Sequence, residues 1–382
     1  MDARRYIPTR TAIAMTDTID QLTHLDNAPH ALAARQQRAK AIAATQACED
    51  LLLAPALPGG LPLPERLAVA QAVAAASGVA ALAAHYGAQL ARLPAPVQDA
   101  RWQVITRFAH LLATEPAAAD RAALLALPGA GLPTSDVVLL AQLIGFVAYQ
   151  ARLVAGVAAL AALGPATEGA APAQGEPDAP FVHPANLPPP GEPLRLNGYT
   201  SETLDWKAWL PVVDPASASA EQNAVLDASH PKARTSDFYL VLAHQPRVLA
   251  ERSQAFNAIM YAPGGLPRAE RELATTVVSR INGCVYCASV HAQRFEQLAK
   301  RNDVIAQVFT DPDSAGTSAR ERAIVQASAA LTRAPGGFGP QHLTPLRAAG
   351  LGDLELLDTV HAIALFAWAN RLMLNLGEAV HP

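Results

Sequence analysis

Runs of apolar residues at helical spacing, separated by turn signals, cover two long stretches of the chain. In residues 45–163 the runs alternate with turns at Leu57-Pro-Gly-Gly, Leu93-Pro-Ala-Pro and Leu127-Pro-Gly-Ala-Gly. The same kind of patterning resumes at Ser236 and continues to the C-terminus. Alanine is abundant and only 5% of residues are aromatic, which favours helices over strands. The pattern therefore predicts an all-α protein.

Between these stretches the pattern is lost. Prolines, glycines and small residues dominate residues 164–198, as in an extended linker, and residues 199–230 keep Trp206, Trp209 and Leu210, enough to pack as an arm against a domain. The predicted organisation is an N-terminal arm (1–44), a first helical domain (45–163), a linker and packing arm (164–235) and a second helical domain (236–382).

The two helical stretches are copies of each other. Residues 58–66 and 263–271, which lie 205 positions apart, share seven of nine residues. A second set of matches lies 219 positions apart and pairs Ala100-Arg101 with Ala319-Arg320 and Arg152-Leu153 with Arg371-Leu372. The offset grows because the second copy has extra residues between His291 and Ala319. We interpret the chain as a tandem duplication, in which the matched Arg371 serves the fold or an interface rather than catalysis.

Candidate chemistry is confined to the second copy. Cys284 and Cys287 form the only C-x-x-C, and His291 follows Cys287 by four positions, so that all three share one face of a helix. Asn282-Gly283 predicts the break from a preceding helix, which carries Glu272. If the two helices pack antiparallel, Glu272 can reach His291 and form a relay from carboxylate to imidazole to thiol.

The first copy lacks all four of these groups. The residues that replace Glu272, Cys284, Cys287 and His291 are Leu67, Val79, Leu82 and Tyr86. Taken alone, Glu272 would be an ordinary exposed helix residue, but its loss accompanies that of both cysteines. The first copy is therefore predicted to be a degenerate structural partner, and catalysis is assigned to the second.

The non-catalytic alternatives for the two cysteines are a structural zinc half-site and a static disulfide. Zinc needs four ligands, and His291 is the only further ligand near in sequence, so no metal is predicted. A C-x-x-C among only three cysteines in a chain of 382 residues is typical of the reducing cytoplasm, which speaks against a static disulfide. Cys48, the third cysteine, lies in an alanine-rich run and is interpreted as a buried inert thiol.

Charge and hydropathy exclude other classes. A net charge of −4 leaves no basic surface for nucleic acid. The sequence shows no apolar run of about 18 residues free of breakers or charges, so no membrane span is predicted. The N-terminus lacks the apolar core of a signal peptide, and Met15 is an alternative start to Met1.

The motif of Glu272, Cys284, Cys287 and His291 resembles the alkylhydroperoxidase (AhpD-like) branch of the carboxymuconolactone decarboxylase superfamily. The signature is a glutamate twelve positions before a C-x-x-C-x-x-x-H. The segments at Thr317-Ser-Ala-Arg-Glu-Arg, Leu346-Arg-Ala-Ala-Gly-Leu and Ala367-Trp-Ala-Asn-Arg-Leu are also similar to the family. The resemblance covers about 236–382 well and 47–163 as a degenerate copy, and it implies two tandem AhpD-like helical domains.

The resemblance also implies a thiol peroxidase with no bound cofactor. Peroxide would oxidise Cys287, Cys284 would resolve the product to a disulfide, and an external dithiol or lipoyl-type reductant would reduce it, with His291 and Glu272 moving protons. Family members form trimers or hexamers, so a homo-oligomer is expected. One departure is at Tyr286, where the founding alkylhydroperoxidase has a histidine.

The helix dipole favours Cys284, rather than Cys287, as the nucleophile. A helix that starts at the Asn282-Gly283 break would lower the pKa of Cys284 more than that of Cys287. The preference for Cys287 depends on a base one turn away, and the order of attack stays open. Tyr286, Phe256, Tyr261 and Trp368 are candidates to line an apolar pocket for an organic peroxide, although core packing is the favoured interpretation for the last three.

Two other functions remain open. One is a dithiol–disulfide oxidoreductase that serves a partner peroxidase or a lipoyl carrier without turning over peroxide. The other is a non-enzymatic redox-sensing or scaffold subunit, in which the duplication serves assembly.

Overall fold

The apolar runs fold into helices, and the all-α prediction is confirmed. The computed structural model describes residues 17–57, 59–166, 182–183, 187 and 191–381. In the first half the helices are α1 (Thr18–Leu22), α2 (Pro29–Gln36), α3 (Ala39–Leu52), α4 (Leu63–Ala76), α5 (Ala80–Leu90), α6 (Ala100–Thr114), α7 (Arg121–Gly129) and α8 (Thr134–Leu163). In the second half they are α9 (Ala220–Ser229), α10 (Asp237–Leu242), α11 (Pro246–Met260), α12 (Arg268–Ile281), α13 (Val285–Ala299), α14 (Asp303–Thr310), α15 (Ala319–Arg333), α16 (Pro340–Ala348) and α17 (Asp353–Asn375). The strands are β1 (Arg195–Leu196), β2 (Tyr199–Thr200), β3 (Asp205–Ala208) and β4 (Gly377–Val380).

The helices recur in the same order in both halves. The matched pairs are α3 and α11, α4 and α12, α5 and α13, α6 and α15, α7 and α16, and α8 and α17. Helix α14 has no counterpart, and it lies where the second copy has extra residues. The helix order thus agrees with the duplication inferred from the sequence.

Each copy breaks its central helical hairpin with a glycine. Gly283 has φ +75°, and the N–H of Cys284 donates to the carbonyl of Ser279, which closes the end of α12. In the first copy Gly78 has φ +72°, and Val79 N–H donates to the carbonyl of Ala74. A residue with a side chain would be strained at either glycine. The break predicted at Asn282-Gly283 is therefore present, and it turns α13 back along α12.

The two halves exchange the same contact in both directions. Helices α8 and α17 pack along each other, and Arg152 of α8 donates to the carbonyl of Thr332, near the end of α15, at 2.6 Å. Arg371 of α17 donates to the carbonyl of Ala113, near the end of α6, also at 2.6 Å. Both arginines satisfy carbonyls that a helix end leaves open. The halves are thus related as two subunits of a symmetric dimer would be.

Helix α8 bears on the expectation that the chain has no membrane span. Its 30 residues contain an 18-residue window with a mean hydropathy of 1.8, so by length and composition alone this helix could cross a membrane. Every 18-residue window of the helix contains Asp136 or Arg152, so the sequence observation that no such run is free of charges holds. All of that window is buried inside the fold, however, mainly against α17, as in the core helix of a packed protein.

Residues 191–240 wrap around the second half. Strands β3 and β4 pair antiparallel, so that Trp206 lies opposite Ala379. The indole N–H of Trp206 donates to the carbonyl of Met373 at 3.0 Å, and Tyr199 O–H donates to the carbonyl of Arg280 at 3.1 Å. This segment therefore forms a wall beside α13 and α17.

The structure does not test the domain boundaries predicted from the sequence. Buried side chains from both halves form one continuous hydrophobic core. Much of the proposed linker, as well as both candidate start residues, Met1 and Met15, lies outside the described residues.

Candidate active site

The four signature residues meet where α12 turns into α13. Cys284 is the N-cap of α13, Cys287 and His291 lie on its first two turns, and Glu272 lies on α12. All four side chains are buried, and neither cysteine is in a disulfide. Because α12 and α13 form a tight hairpin, residues 12 to 19 positions apart in sequence come into one site.

Glu272 and His291 form a buried hydrogen-bonded pair. The Oε2 of Glu272 lies 2.5 Å from Nδ1 of His291, with side-chain exposures of 4% and 10%. A carboxylate that accepts from Nδ1–H leaves Nε2 as the nitrogen that can accept a proton. The ring is held from another side by Phe366, edge to face at 4.3 Å between centroids. The contact expected from the sequence is present, and it orients the imidazole.

The two cysteines have different surroundings. Cys287 lines a cavity together with His291, whereas Cys284 is 1% exposed and lies behind it. Burial raises the pKa of the Cys284 thiol well above its ordinary value, and the sulfur of Cys287 raises it further. Hydrogen bonds from the Cys287 N–H and the Asn370 side chain lower this pKa, but burial is the larger effect. The dipole argument for Cys284 is therefore outweighed by desolvation.

A polar network beneath Cys284 was missed by sequence reasoning. Asn370 of α17 hydrogen-bonds the Cys284 thiol, donates to Ser279 Oγ at 3.1 Å and accepts from Asn282 Nδ2 at 3.0 Å. At the offset of 219, Asn370 matches Ala151, so this amide is also absent from the first copy. Comparison of the two copies along the whole of α17 would have revealed it.

The cavity beside Cys287 has a volume of about 540 Å³. Its walls come from α11, α12, α13 and α17 on one side and from β3 and residues 230–239 on the other. The predicted pocket residues Phe256, Tyr261 and Tyr286 line it. Burial raises the pKa of Tyr286 to about 12, so its phenol stays protonated at neutral pH. The size is typical of a site for a small organic molecule.

Trp368 does not line this cavity, so its candidacy as a pocket residue is wrong and the core-packing interpretation holds. Its side chain is fully buried, its indole N–H donates to Gln142 of α8 at 2.9 Å, and its ring packs edge to face on Phe146. A side chain at Gly145 would collide with the indole ring, which explains the glycine there. Trp368 therefore joins the two halves.

Several cavity residues carry no sequence motif. They include Tyr239 of α10, His230 in the segment before α10, and Arg252 of α11. Each of these residues lies at least 20 positions before Glu272 in the sequence. Burial, with repulsion from His183 and Lys232, lowers the pKa of His230 to about 4, so this imidazole is neutral at physiological pH. Within the described residues no group of three or more His, Cys, Asp or Glu side chains is arranged to hold a metal ion.

Comparison with known proteins agrees with the signature. Residues 246–330 match the carboxymuconolactone decarboxylase family. Among solved structures, the chain is similar to the alkylhydroperoxidase AhpD core of an uncharacterized peroxidase-related protein from Ralstonia eutropha JMP134, with 25% identity, 42% of this chain and 86% of that chain covered, and a TM-score of 0.38. It is also similar to an uncharacterized peroxidase-related protein from Silicibacter sp. TM1040, with 23% identity, 44% and 90% coverage, and a TM-score of 0.38.

No curated protein sequence matches the chain. The family match covers α11 to α14 and most of α15, and so includes the α12–α13 hairpin that holds Glu272, Cys284, Cys287 and His291. The family match therefore agrees with the resemblance seen in the sequence, over residues 246–330 of the second half.

Proposed function

We propose that this protein is a thiol-dependent peroxidase that reduces organic hydroperoxides. The observation that carries the proposal is the order of groups around the cavity. Cys287 and the paired His291 face the space where a substrate would bind, and Cys284 lies directly behind Cys287. A nucleophile in front, a resolving thiol behind it and an oriented base beside it are the parts that such a cycle needs.

The first step oxidises Cys287. His291 accepts the Cys287 proton, and the thiolate attacks the outer oxygen of the hydroperoxide. The O–O bond breaks, the alkoxide leaves and takes the proton from His291, and Cys287 becomes a sulfenic acid. Glu272 holds the imidazole in the required tautomer and stabilises its protonated form.

The second step forms the disulfide. The Cys284 sulfur attacks the sulfenic sulfur of Cys287, a sulfur–sulfur bond forms and water leaves. An external dithiol, of lipoyl type or another class, then reduces the bond and becomes a disulfide itself. The net reaction converts a hydroperoxide and a dithiol to an alcohol, water and a disulfide, so oxidant and reductant balance.

The test is dithiol-dependent consumption of cumene hydroperoxide. We expect turnover in the wild type, loss of turnover in Cys287→Ser, and a stalled sulfenic acid after a single turnover in Cys284→Ser. Cys48→Ala is the matched control, because Cys48 is buried in α3 and lies outside the cavity. No turnover in the wild type would reject the peroxidase, and unchanged turnover in Cys287→Ser would reject the order of attack.

Mass spectrometry separates this function from its two rivals. One equivalent of hydroperoxide should remove two daltons from the peptide that contains Cys284 and Cys287. A dithiol–disulfide oxidoreductase that serves a partner would form the same disulfide with a disulfide substrate but not with hydroperoxide. A sensor or scaffold subunit would form it without catalytic turnover by a dithiol.

A further inference from the structure

Arg252 is a buried cation in the same cavity as Cys287. It lies on α11, is 5% exposed and contributes to the cavity wall. Its guanidinium lies over the rings of Phe238, at 5.4 Å from the centroid, and Trp368, at 5.7 Å. These aromatic faces hold the charged group in place but do not neutralise it.

Arg252 has no acceptor in the part of the chain that the structure describes. It makes no hydrogen bond or ion pair there, and its buried Nε has no partner. Other deeply buried arginines donate to several backbone carbonyls or to a carboxylate; they are Arg66, Arg152, Arg271 and Arg371. A buried charge without a partner costs several kcal/mol, so its retention calls for a reason.

The acidic residues of the cavity do not serve Arg252. Glu272 is paired with His291, Asp237 with Lys207, and Asp205 is exposed on β3. Burial lowers the pKa of Arg252, as expected for a cation that lacks a counter-charge, although guanidinium groups remain protonated. The cavity therefore contains one buried positive charge in excess at this wall.

We propose that Arg252 binds an anionic group of the substrate, and that the substrate is an organic hydroperoxide bearing a carboxylate. This proposal rests on the peroxidase function. The planar guanidinium matches a carboxylate in two parallel hydrogen bonds. The aromatic walls at Phe256, Tyr261 and Phe366 would hold the apolar part, and the hydroperoxide would then point to Cys287. Such a carboxylate would supply the missing acceptor for Nε.

The decisive comparison uses cumene hydroperoxide, its ring-carboxylated derivative and the methyl ester of that derivative. We expect the wild type to favour the carboxylate over the ester by at least about 30-fold in kcat/KM, chiefly through KM, as for a buried hydrogen-bonded charge pair. In Arg252→Met this preference should vanish, while turnover of the ester and of cumene hydroperoxide changes by less than about threefold.

Two controls sharpen the comparison. Lys207→Gln removes one positive charge from the exposed mouth of the same cavity and should keep the preference. Arg252→Lys keeps the charge but loses the planar pair of N–H donors, so it should retain a reduced preference for the carboxylate substrate. Equal turnover of carboxylate and ester by the wild type would overturn the proposal. So would an equal loss of all three substrates in Arg252→Met, since that would mark a role in supporting the Cys287 thiolate.

Binding and stability provide readouts that do not need turnover. Calorimetry should show 4-isopropylbenzoate, which carries no peroxide, binding to the wild type and at least about 30-fold more weakly to Arg252→Met. That result would support the carboxylate site even if no hydroperoxide were reduced. Absence of hydroperoxide reduction would reject only the peroxidase function. Arg252→Met should melt no lower than the wild type, because it removes an uncompensated buried charge. A lower melting temperature together with unchanged benzoate binding would show that Arg252 serves the fold.

Discussion

The hairpins α4–α5 and α12–α13 share one backbone structure, but only α12–α13 carries the four signature residues. Both turn at a glycine with positive φ and an identical backbone hydrogen bond across the break. Glu272 and His291 are replaced by Leu67 and Tyr86, which are as deeply buried. The difference shows that the reactive side chains are not needed to form the hairpin, since the apolar version forms it as well.

The first copy also fills the space that the second leaves open. Tyr86 O–H donates to Oε1 of Gln150, and Gln150 Nε2 donates to Glu49 Oε2 at 2.8 Å. At the offset of 219, Gln150 matches Ala369, which lines the cavity beside Cys287. A small residue on α17 thus keeps room for a substrate, whereas a long amide on α8 occupies that room. The first copy therefore differs from the second by a filled site as well as by the missing reactive groups.

The largest expected effect comes from installing a residue of the first copy in the second. Glu272→Leu leaves His291 without the carboxylate that orients it, so kcat/KM for cumene hydroperoxide should fall by about 10²- to 10⁴-fold. Steady-state assays across pH measure this. The matched control is Glu270→Gln, because Glu270 pairs with Arg320 just as Glu65 pairs with Arg101 in the first copy. A control loss as large as that of Glu272→Leu would show that damage to α12, rather than to the relay, is responsible.

The arginines at the start of α4 and α12 test the structural side of the comparison. Arg66 donates to three backbone carbonyls, those of Leu52, Ala54 and Leu61. Arg271 donates to the carbonyl of Leu266, which matches Leu61, and also to the carboxylate of Asp358. The residue that matches Asp358 in the first half is Leu139, which cannot accept a hydrogen bond through its side chain. Arg271→Ala should therefore lower the free energy of unfolding by about 3–5 kcal/mol, and Arg66→Ala by about 1–3 kcal/mol.

Urea unfolding of both variants measures the difference. Both should retain the wild-type slope of free energy against urea, since the fold is unchanged. Equal losses would mean that Asp358 is satisfied by its second partner, Arg38, which donates to it at 2.7 Å.

Much of the scaffold and the core of the site could be predicted from the sequence because both depend on local spacing. The C-x-x-C-x-x-x-H pattern on one helix and the Asn282-Gly283 break bring Glu272 and His291 together. The cavity could not be predicted, because one wall comes from residues 230–239 and from β3, and β3 is placed by pairing with β4 near the other end of the chain. Trp368 was misplaced for a similar reason: Gly145, in the other half, leaves the space that its indole occupies.

A close backbone contact between the halves provides a smaller test. Ser77 accepts from Gly336 N–H at 3.2 Å, and a Cβ at Gly336 would lie 2.5 Å from the carbonyl oxygen of Gly78. Gly336→Ala should therefore cost about 1–3 kcal/mol through overpacking, measured by urea unfolding. Gly337→Ala is the control, because a Cβ there meets nothing within 4 Å. If both variants cost the same, the helix end at this contact moves freely and the junction between the halves is not tightly packed.

The smallest expected effect is a pH dependence that belongs to the first half. Cys48 of α3 is fully buried, and burial raises its pKa in the folded protein above the value of about 8.5 expected in the unfolded chain. A raised folded pKa contributes stability that is complete below about pH 8.5 and is lost as pH rises, because the unfolded thiol ionises first. Between pH 7.5 and 9.5 this loss should reach about 1.4 kcal/mol. Urea unfolding at both pH values should show that Cys48→Ala has a shallower decline than the wild type by about that amount, whatever its stability at pH 7.5. Parallel declines in the two proteins would mean that the thiol of Cys48 ionises as easily inside the fold as outside it.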